Sequence, residues 1–214
     1  MTPLEKYDEL RAAQKEANSA LVKALPTGAK GRAILHRAAK TIHHRMRNGN
    51  VDTTDEAALD RLFEFILYEP ALGKPIWAQQ VLRGHHSFSD MQVAVVQAAI
   101  DAVPTVYEVL DTDRAEKRIL LRDILLDLPD VAVYDRRLSA NIEPETVVFS
   151  RVLTVGEISF LSGTGIAFGP RERETVLARA RSLQRIGNGE IRRRKRFALF
   201  CEMEKYSSIR LRFA

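Results

Sequence analysis

The feature that most restricts this chain is a change of hydrophobic period at Pro104. Before it, apolar residues recur every three or four positions, the spacing of a helix with one buried face. After it, short runs rich in Val, Ile, Leu, Phe and Tyr sit between turn residues, as strands do. One period cannot serve both structures, so the sequence predicts an α+β fold. Its expected segments are an N-terminal helical bundle over 1–103, a small antiparallel β-barrel-like module over 104–168, and a basic helical C-terminal region over 169–214.

Within the first segment, Leu4, Tyr7, Leu10, Leu21, Val22 and Leu25 predict a helix ended by Pro26-Thr27-Gly28. A second is expected over about 30–47, with Leu35, Ala38, Ala39, Ile42 and Met46 inward. Thr53 or Thr54 is expected to cap a third, whose core face holds Leu59, Leu62, Phe63, Ile66 and Leu67. A short helix near 75–82 carries the single tryptophan, Trp77, and Ser89 opens a helix reaching about 102.

Strands are expected near 105–111, 118–125, 131–137, 146–154 and 157–161, with a further piece at 166–168. They suggest a meander closing into a barrel, or a curled sheet on a helix, with Val106, Leu120, Val133, Phe149 and Phe160 in its core. Helix resumes from Pro170 to about 186. Segment 190–206 fits either helix or strand. Ile209, Leu211 and Phe213 alternate with Arg210 and Arg212, which predicts a terminal strand with an edge free for a homodimer.

The net charge of +5 conceals an uneven distribution. Residues 1–50 carry ten Lys/Arg against four Asp/Glu, and residues 169–214 carry thirteen against five. Basic ends around an acidic middle suit a polyanion partner, or ends folded back on that middle. The densest run is Arg192-Arg193-Arg194-Lys195-Arg196. Arg210 and Arg212 share a face of the proposed last strand, and the second helix carries Lys30, Arg32, Arg37, Lys40, Arg45 and Arg47. The candidate phosphate contacts are therefore Arg192, Arg193, Arg194, Lys195, Arg196, Arg210, Arg212, Arg37, Lys40, Arg45 and Arg47.

The strings VYEVLDTDRAEKRILLRDILLD, YDRRLSANIEPETVVFSRVL and FLSGTGIAF resemble a segment of uncharacterised bacterial proteins that often end in a zinc knuckle like that of the SecA motor. The resemblance covers about 105–168. It implies a β module and, because that family's function is undefined, it transfers no active site. Cys201 is the single cysteine, so the zinc-knuckle tail is absent here.

No catalytic constellation emerges. His36, His43, His44, His85 and His86 lack an H-E-x-x-H spacing, so neither metal nor cofactor is expected. Gly163-Thr164-Gly165 reads as a hairpin turn rather than a phosphate loop, because strand-like Ile166-Ala167-Phe168 follows where a helix would be needed. Ser159 and Ser162 lack a nucleophile elbow. Cys201, among Phe197, Phe200 and Met203, reads as a buried, inert thiol. Asp123, Asp127, Asp130 and Asp135 read as turn residues.

The sequence thus points to a non-catalytic nucleic-acid-binding protein, for DNA or RNA, that grips phosphate through both basic ends. It is expected to be cytoplasmic and without membrane association. No apolar run approaches the roughly 18 residues of a span, and MTPLEKYDEL lacks a basic patch followed by an apolar core. The alternative is a protein–protein adaptor that docks through the β module or the helical bundle. A metal-assisted hydrolase using the histidines and aspartates is the third reading.

Overall fold

The computed structural model describes residues 1–70, 75–84, 87–126 and 128–209. Five helices come first: α1 (Pro3–Lys23), α2 (Gly28–Thr41), α3 (Glu56–Tyr68), α4 (Trp77–Gly84) and α5 (Asp90–Asp101). Thr2 and Glu5 form a capping box on α1, and Ser89 and Gln92 form another on α5. Asp55, rather than Thr53 or Thr54, caps α3 by accepting from the Ala58 N–H. Thr54 instead donates its hydroxyl to Asp52 at 2.7 Å.

The second helix ends earlier than its periodicity suggests. A two-residue hairpin, β1 (Met46–Arg47) and β2 (Asn50–Val51), follows it. Asn48 and Gly49 take φ of 50° and 77° there, as a tight hairpin turn requires.

The remaining elements are β3 (Thr105–Asp113), β4 (Arg118–Asp123), β5 (Val131–Tyr134), α6 (Leu138–Asn141), β6 (Val147–Val155), β7 (Ile158–Phe168), α7 (Arg173–Ser182) and α8 (Gly189–Met203). The ambiguous 190–206 segment is therefore helix, continued by a 3₁₀ turn over Glu204–Tyr206. The expected terminal strand falls largely on 210–214, outside the described residues.

The five long strands close into a barrel in the order β3-β4-β5-β7-β6. It is not a meander, because β7 inserts between β5 and β6 and runs parallel to β5. This order, with a short helix between the third and fourth barrel strands, is the connectivity of the OB-type Greek-key barrel. Tyr107, Val109, Ile119, Leu121, Val133, Val148, Leu161 and Ala167 fill the interior, and Leu138 and Ile142 join them from α6 and its end.

Side chains of alternate residues point out of the barrel, and the helices cover only part of that outer surface. Val106, Phe149 and Phe168 pack under α2, α3, α7 and α8, while Leu153 and Phe160 pack under α1, α4 and α5. Phe149 stacks on Phe200 with ring centroids 4.1 Å apart. Leu120 also points outward, but on β4, where it is 37% exposed and not in the core. The apolar core is thus continuous across the segment boundaries near residues 104 and 169.

Gly163-Thr164-Gly165 lies inside β7 and makes no hairpin. The register passes from Ser150↔Gly165 to Val152↔Leu161, so Ser162, Gly163 and Thr164 oppose the single residue Arg151. Gly163 takes a φ of 91°, which a side chain would resist. The glycines therefore build a β-bulge. It lets Ser162 and Thr164 both donate to Glu64 of α3.

Candidate nucleic-acid interface

The bulge belongs to a buried charge network that fixes α3, α5, β6 and α8 against one another. Arg151 is fully buried and donates Nε to Glu64 at 3.1 Å and a terminal nitrogen to Glu69 at 2.7 Å. Its other terminal nitrogen donates to the carbonyls of Ala99 (3.0 Å) and Ala102 (2.5 Å) at the end of α5. Arg193 of α8 closes the network, donating Nε to the second Glu69 oxygen at 2.9 Å and a terminal nitrogen to the Tyr68 carbonyl. Two guanidinium groups and two carboxylates are thereby balanced away from water, with their hydrogen bonds satisfied.

The arginine-rich run divides accordingly. Arg196 is buried and donates to the Pro104 carbonyl at 3.3 Å, although its Nε finds no partner. Arg194 is half-buried, donates to the Pro70 carbonyl and lies over the Phe65 ring. Burial presses all three guanidinium groups of Arg193, Arg194 and Arg196 below their ordinary value. For Arg194 the nearby Arg37 adds to that effect while Glu69 opposes it. Arg192 reaches the Gln184 carbonyl at 3.2 Å, and Lys195 is exposed.

On α2 the cations all face solvent. Lys30, Arg32, Arg37 and Lys40 are exposed, while Ala38 and Ala39 are buried. Arg45 and Arg47 follow on the exposed hairpin, where Arg45 lies 3.5 Å from Asp52. Among the described residues, no carboxylate forms an ion pair with Lys30, Arg37, Lys40, Arg47 or Lys195. Arg210 and Arg212 lie outside the described residues.

The two basic segments converge in space. A cavity of about 500 Å³ between α2, α3 and α4 is bordered by Lys30, Arg37 and Arg194. A second cleft, of about 450 Å³, is lined by Thr41 at the end of α2, by His43 after it, and by Ile191, Arg194, Lys195, Leu199 and the carboxylate of Glu202 from α8. Arg194 borders both. The first fifty residues and the last fifty thus present cations along one surface, although nothing local in the sequence joins them.

The other candidates resolve into structural roles. Ring nitrogens of His36 and His44 lie 2.5 and 2.8 Å from the carbonyls of Gly49 and Asp52, and His43 lies 3.9 Å from Glu202. His85, His86 and Asp127 lie outside the described residues. Asp123 accepts from the Leu125 and Leu126 amides, Asp135 from those of Arg137 and Leu138, and Asp130 pairs with Arg122. Among the described residues no three His, Cys, Asp or Glu side chains gather where they could hold a metal ion. Ser159 is hydrogen-bonded to Thr154 at 2.8 Å. Cys201 is half-buried beside the core, and desolvation pushes its thiol up to about 12.

Residues 1–214, the whole chain, match DUF7986, a family of unknown function. The chain belongs to that family. The match covers the helical segments as well as the β segment, and it says nothing of a relationship to proteins with zinc-knuckle tails. No curated protein and no solved structure matches the chain. Among the described residues no helix is long and apolar enough to cross a membrane.

Proposed function

We propose that the protein binds nucleic acid with little regard to sequence, seating backbone phosphates along the surface between α2 and α8. The observation that carries this reading is the convergence on Arg194. Cations from opposite ends of the chain border the larger cavity, the adjoining cleft adds Lys195 beside the shared Arg194, and Lys30, Arg37 and Lys195 have no carboxylate partner among the described residues. Phosphate is the polyanion best suited to such a row, because each neutralised phosphate releases condensed counterions. Lys195, Arg192 and Arg194 would act from α8, with Arg37, Lys40, Arg45 and Arg47 opposite. Arg193 and Arg196 would hold α8 in place rather than touch the ligand.

The barrel lends support by analogy of fold alone, since OB-type barrels include many that bind oligonucleotides. Its surface free of helices carries the exposed Arg118 and Arg122, and the Arg118 guanidinium lies 5.8 Å from the ring centre of Tyr134, which itself packs against Tyr7 of α1. The adaptor reading has one specific observation in its favour. Leu120 on that surface and Leu128 beside it are 37% and 50% exposed.

A gel-shift series with single- and double-stranded DNA and RNA at about 50 mM salt tests the proposal, since electrostatic binding is strongest at low ionic strength. Binding that weakens steeply with salt is the expected result. No shift at micromolar protein would reject it in favour of the adaptor.

A further inference from the structure

The larger cavity has a chemistry that phosphate neutralisation does not require. Its floor is apolar: Phe65 and Ile66 of α3, Ile34 and Ala38 of α2, and Leu25 before it. Trp77 closes one side, and its indole N–H is fixed by donation to the Leu21 carbonyl at 3.2 Å. The turn between α1 and α2 forms the rim, held close because a Cβ on Gly31 would overlap the Pro26 carbonyl oxygen. A row of surface cations needs no such recess. At about 500 Å³ it falls in the range of small-molecule sites.

The polar groups at its edge are Lys30, Arg37 and Arg194, together with Glu69 and Gln80. Glu69 forms no ion pair with them, for Arg151 and Arg193 each take one of its oxygens, although its charge still favours the Arg194 guanidinium. Gln80 is engaged with the Pro75 carbonyl. An apolar recess with three cations at its mouth complements a molecule with an oily body and one negative end.

We propose that this cavity binds a small amphipathic anion, its apolar body against Phe65, Ile66 and Trp77 and its carboxylate or phosphate head among Lys30, Arg37 and Arg194. The inference stands independently of nucleic-acid binding. Its readout is the emission of Trp77, the only tryptophan in the chain, recorded with no nucleic acid present.

The experiment titrates the full chain with decanoate, 2-naphthoate and decyl phosphate, using decanol and inorganic phosphate as controls. A saturable change in Trp77 emission is expected for at least one of the three anions, at least tenfold tighter than for decanol, with none for inorganic phosphate. The preference between decanoate and decyl phosphate distinguishes a carboxylate head from a phosphate head. Arg37→Ala and Lys30→Gln, both at exposed positions, should each weaken that anion about tenfold and leave decanol unchanged. Lys15→Ala, at an exposed α1 position that lines neither cleft, should match the unmodified protein. Decanol binding as tightly as the anions, or indifference to both cation variants, would overturn the proposal. So would the absence of any saturable change up to about 1 mM, where binding is worth only some 4 kcal/mol. A gel shift would be unaffected by that failure, so the two readings fail separately.

Discussion

On α2, Lys30, Arg32, Arg37 and Lys40 reach solvent while Ala38, Ala39 and the following Ile42 enter the core. On α8, Phe197, Phe200 and Met203 enter the same core, but Arg193 and Arg196 extend their line. Positions 193, 196, 197 and 200 stand at the spacing of one helical face. The apolar stripe of α8, traced back toward its N-terminus, therefore runs into two arginines. Five consecutive cations wind around most of a helix, so some had to turn inward, where backbone carbonyls and Glu69 receive them. Density of charge and availability of charge are different quantities. The sparser segment, α2, is the one whose cations are free to meet an anion.

The largest effect expected from this contrast is on stability. Removing Arg193 leaves the fully buried Glu69 with Arg151 alone, so Arg193→Ala should cost about 3 kcal/mol. Arg37→Ala, at an exposed position, should stay within about 0.5 kcal/mol. Urea denaturation of the two variants measures the difference, and equal losses would break the distinction. Arg196 sharpens it further. Its Nε has no partner, so Arg196→Met, which keeps the packing and drops the charge, should be milder than Arg196→Ala by about 1–2 kcal/mol.

Much of the secondary structure was legible for physical reasons that act locally. Ser89 caps α5 as its place before an apolar run predicts, and Val106, Val133, Phe149 and Phe160 are buried as expected, Val133 inside the barrel and the other three outside it under the helices. What escaped is set by partners distant in sequence. Leu120 has the same outward orientation as Phe149, and only the placement of helices makes one exposed and the other buried. No local pattern announces that β7 inserts between β5 and β6.

The Gly163-Thr164-Gly165 string did carry a usable signal, since glycine inside a strand pattern marks a bulge as readily as a turn. The role of Arg151 was hidden for a different reason. Its two carboxylate partners lie more than eighty residues upstream, Glu64 on α3 and Glu69 at its C-cap, and the apolar stripe of that helix reads as complete without them. The candidate site was half legible: the residue types were evident, but not which of them the core would claim.

Cys201, on α8 with the inward arginines, gives an intermediate effect. Burial holds its thiol protonated up to about 12. A cysteine in the unfolded chain loses its proton near pH 8.5, so between about pH 8 and 10 the folded state binds more protons than the unfolded one. Stability therefore falls as pH rises through that window. The fall should be up to about 1.5 kcal/mol larger than in Cys201→Ala, measured by denaturant midpoints at each pH. Parallel curves for the two proteins would mean that α8 leaves this face open to water.

The smallest effects per residue, and the ones that decide function, belong to the exposed cations. If each seats one phosphate, Arg37→Ala, Lys40→Ala and Lys195→Ala should each lower the log–log salt slope of binding by up to about 0.9 for duplex DNA. None should move the unfolding midpoint appreciably. The affinity lost should be similar across unrelated sequences, because phosphate contacts carry no base information. Arg118→Ala and Arg122→Ala on the open barrel surface provide the opposing case. If they flatten the salt slope while the α2 and α8 variants do not, the ligand lies on the barrel and the convergence at Arg194 serves another purpose. If both sets contribute additively, the nucleic acid spans both surfaces, and the site would be longer than the two clefts alone. Loss of binding in Arg193→Ala at a temperature where the protein stays folded would show the inward arginines in contact with ligand, and would erase the contrast between the two helices.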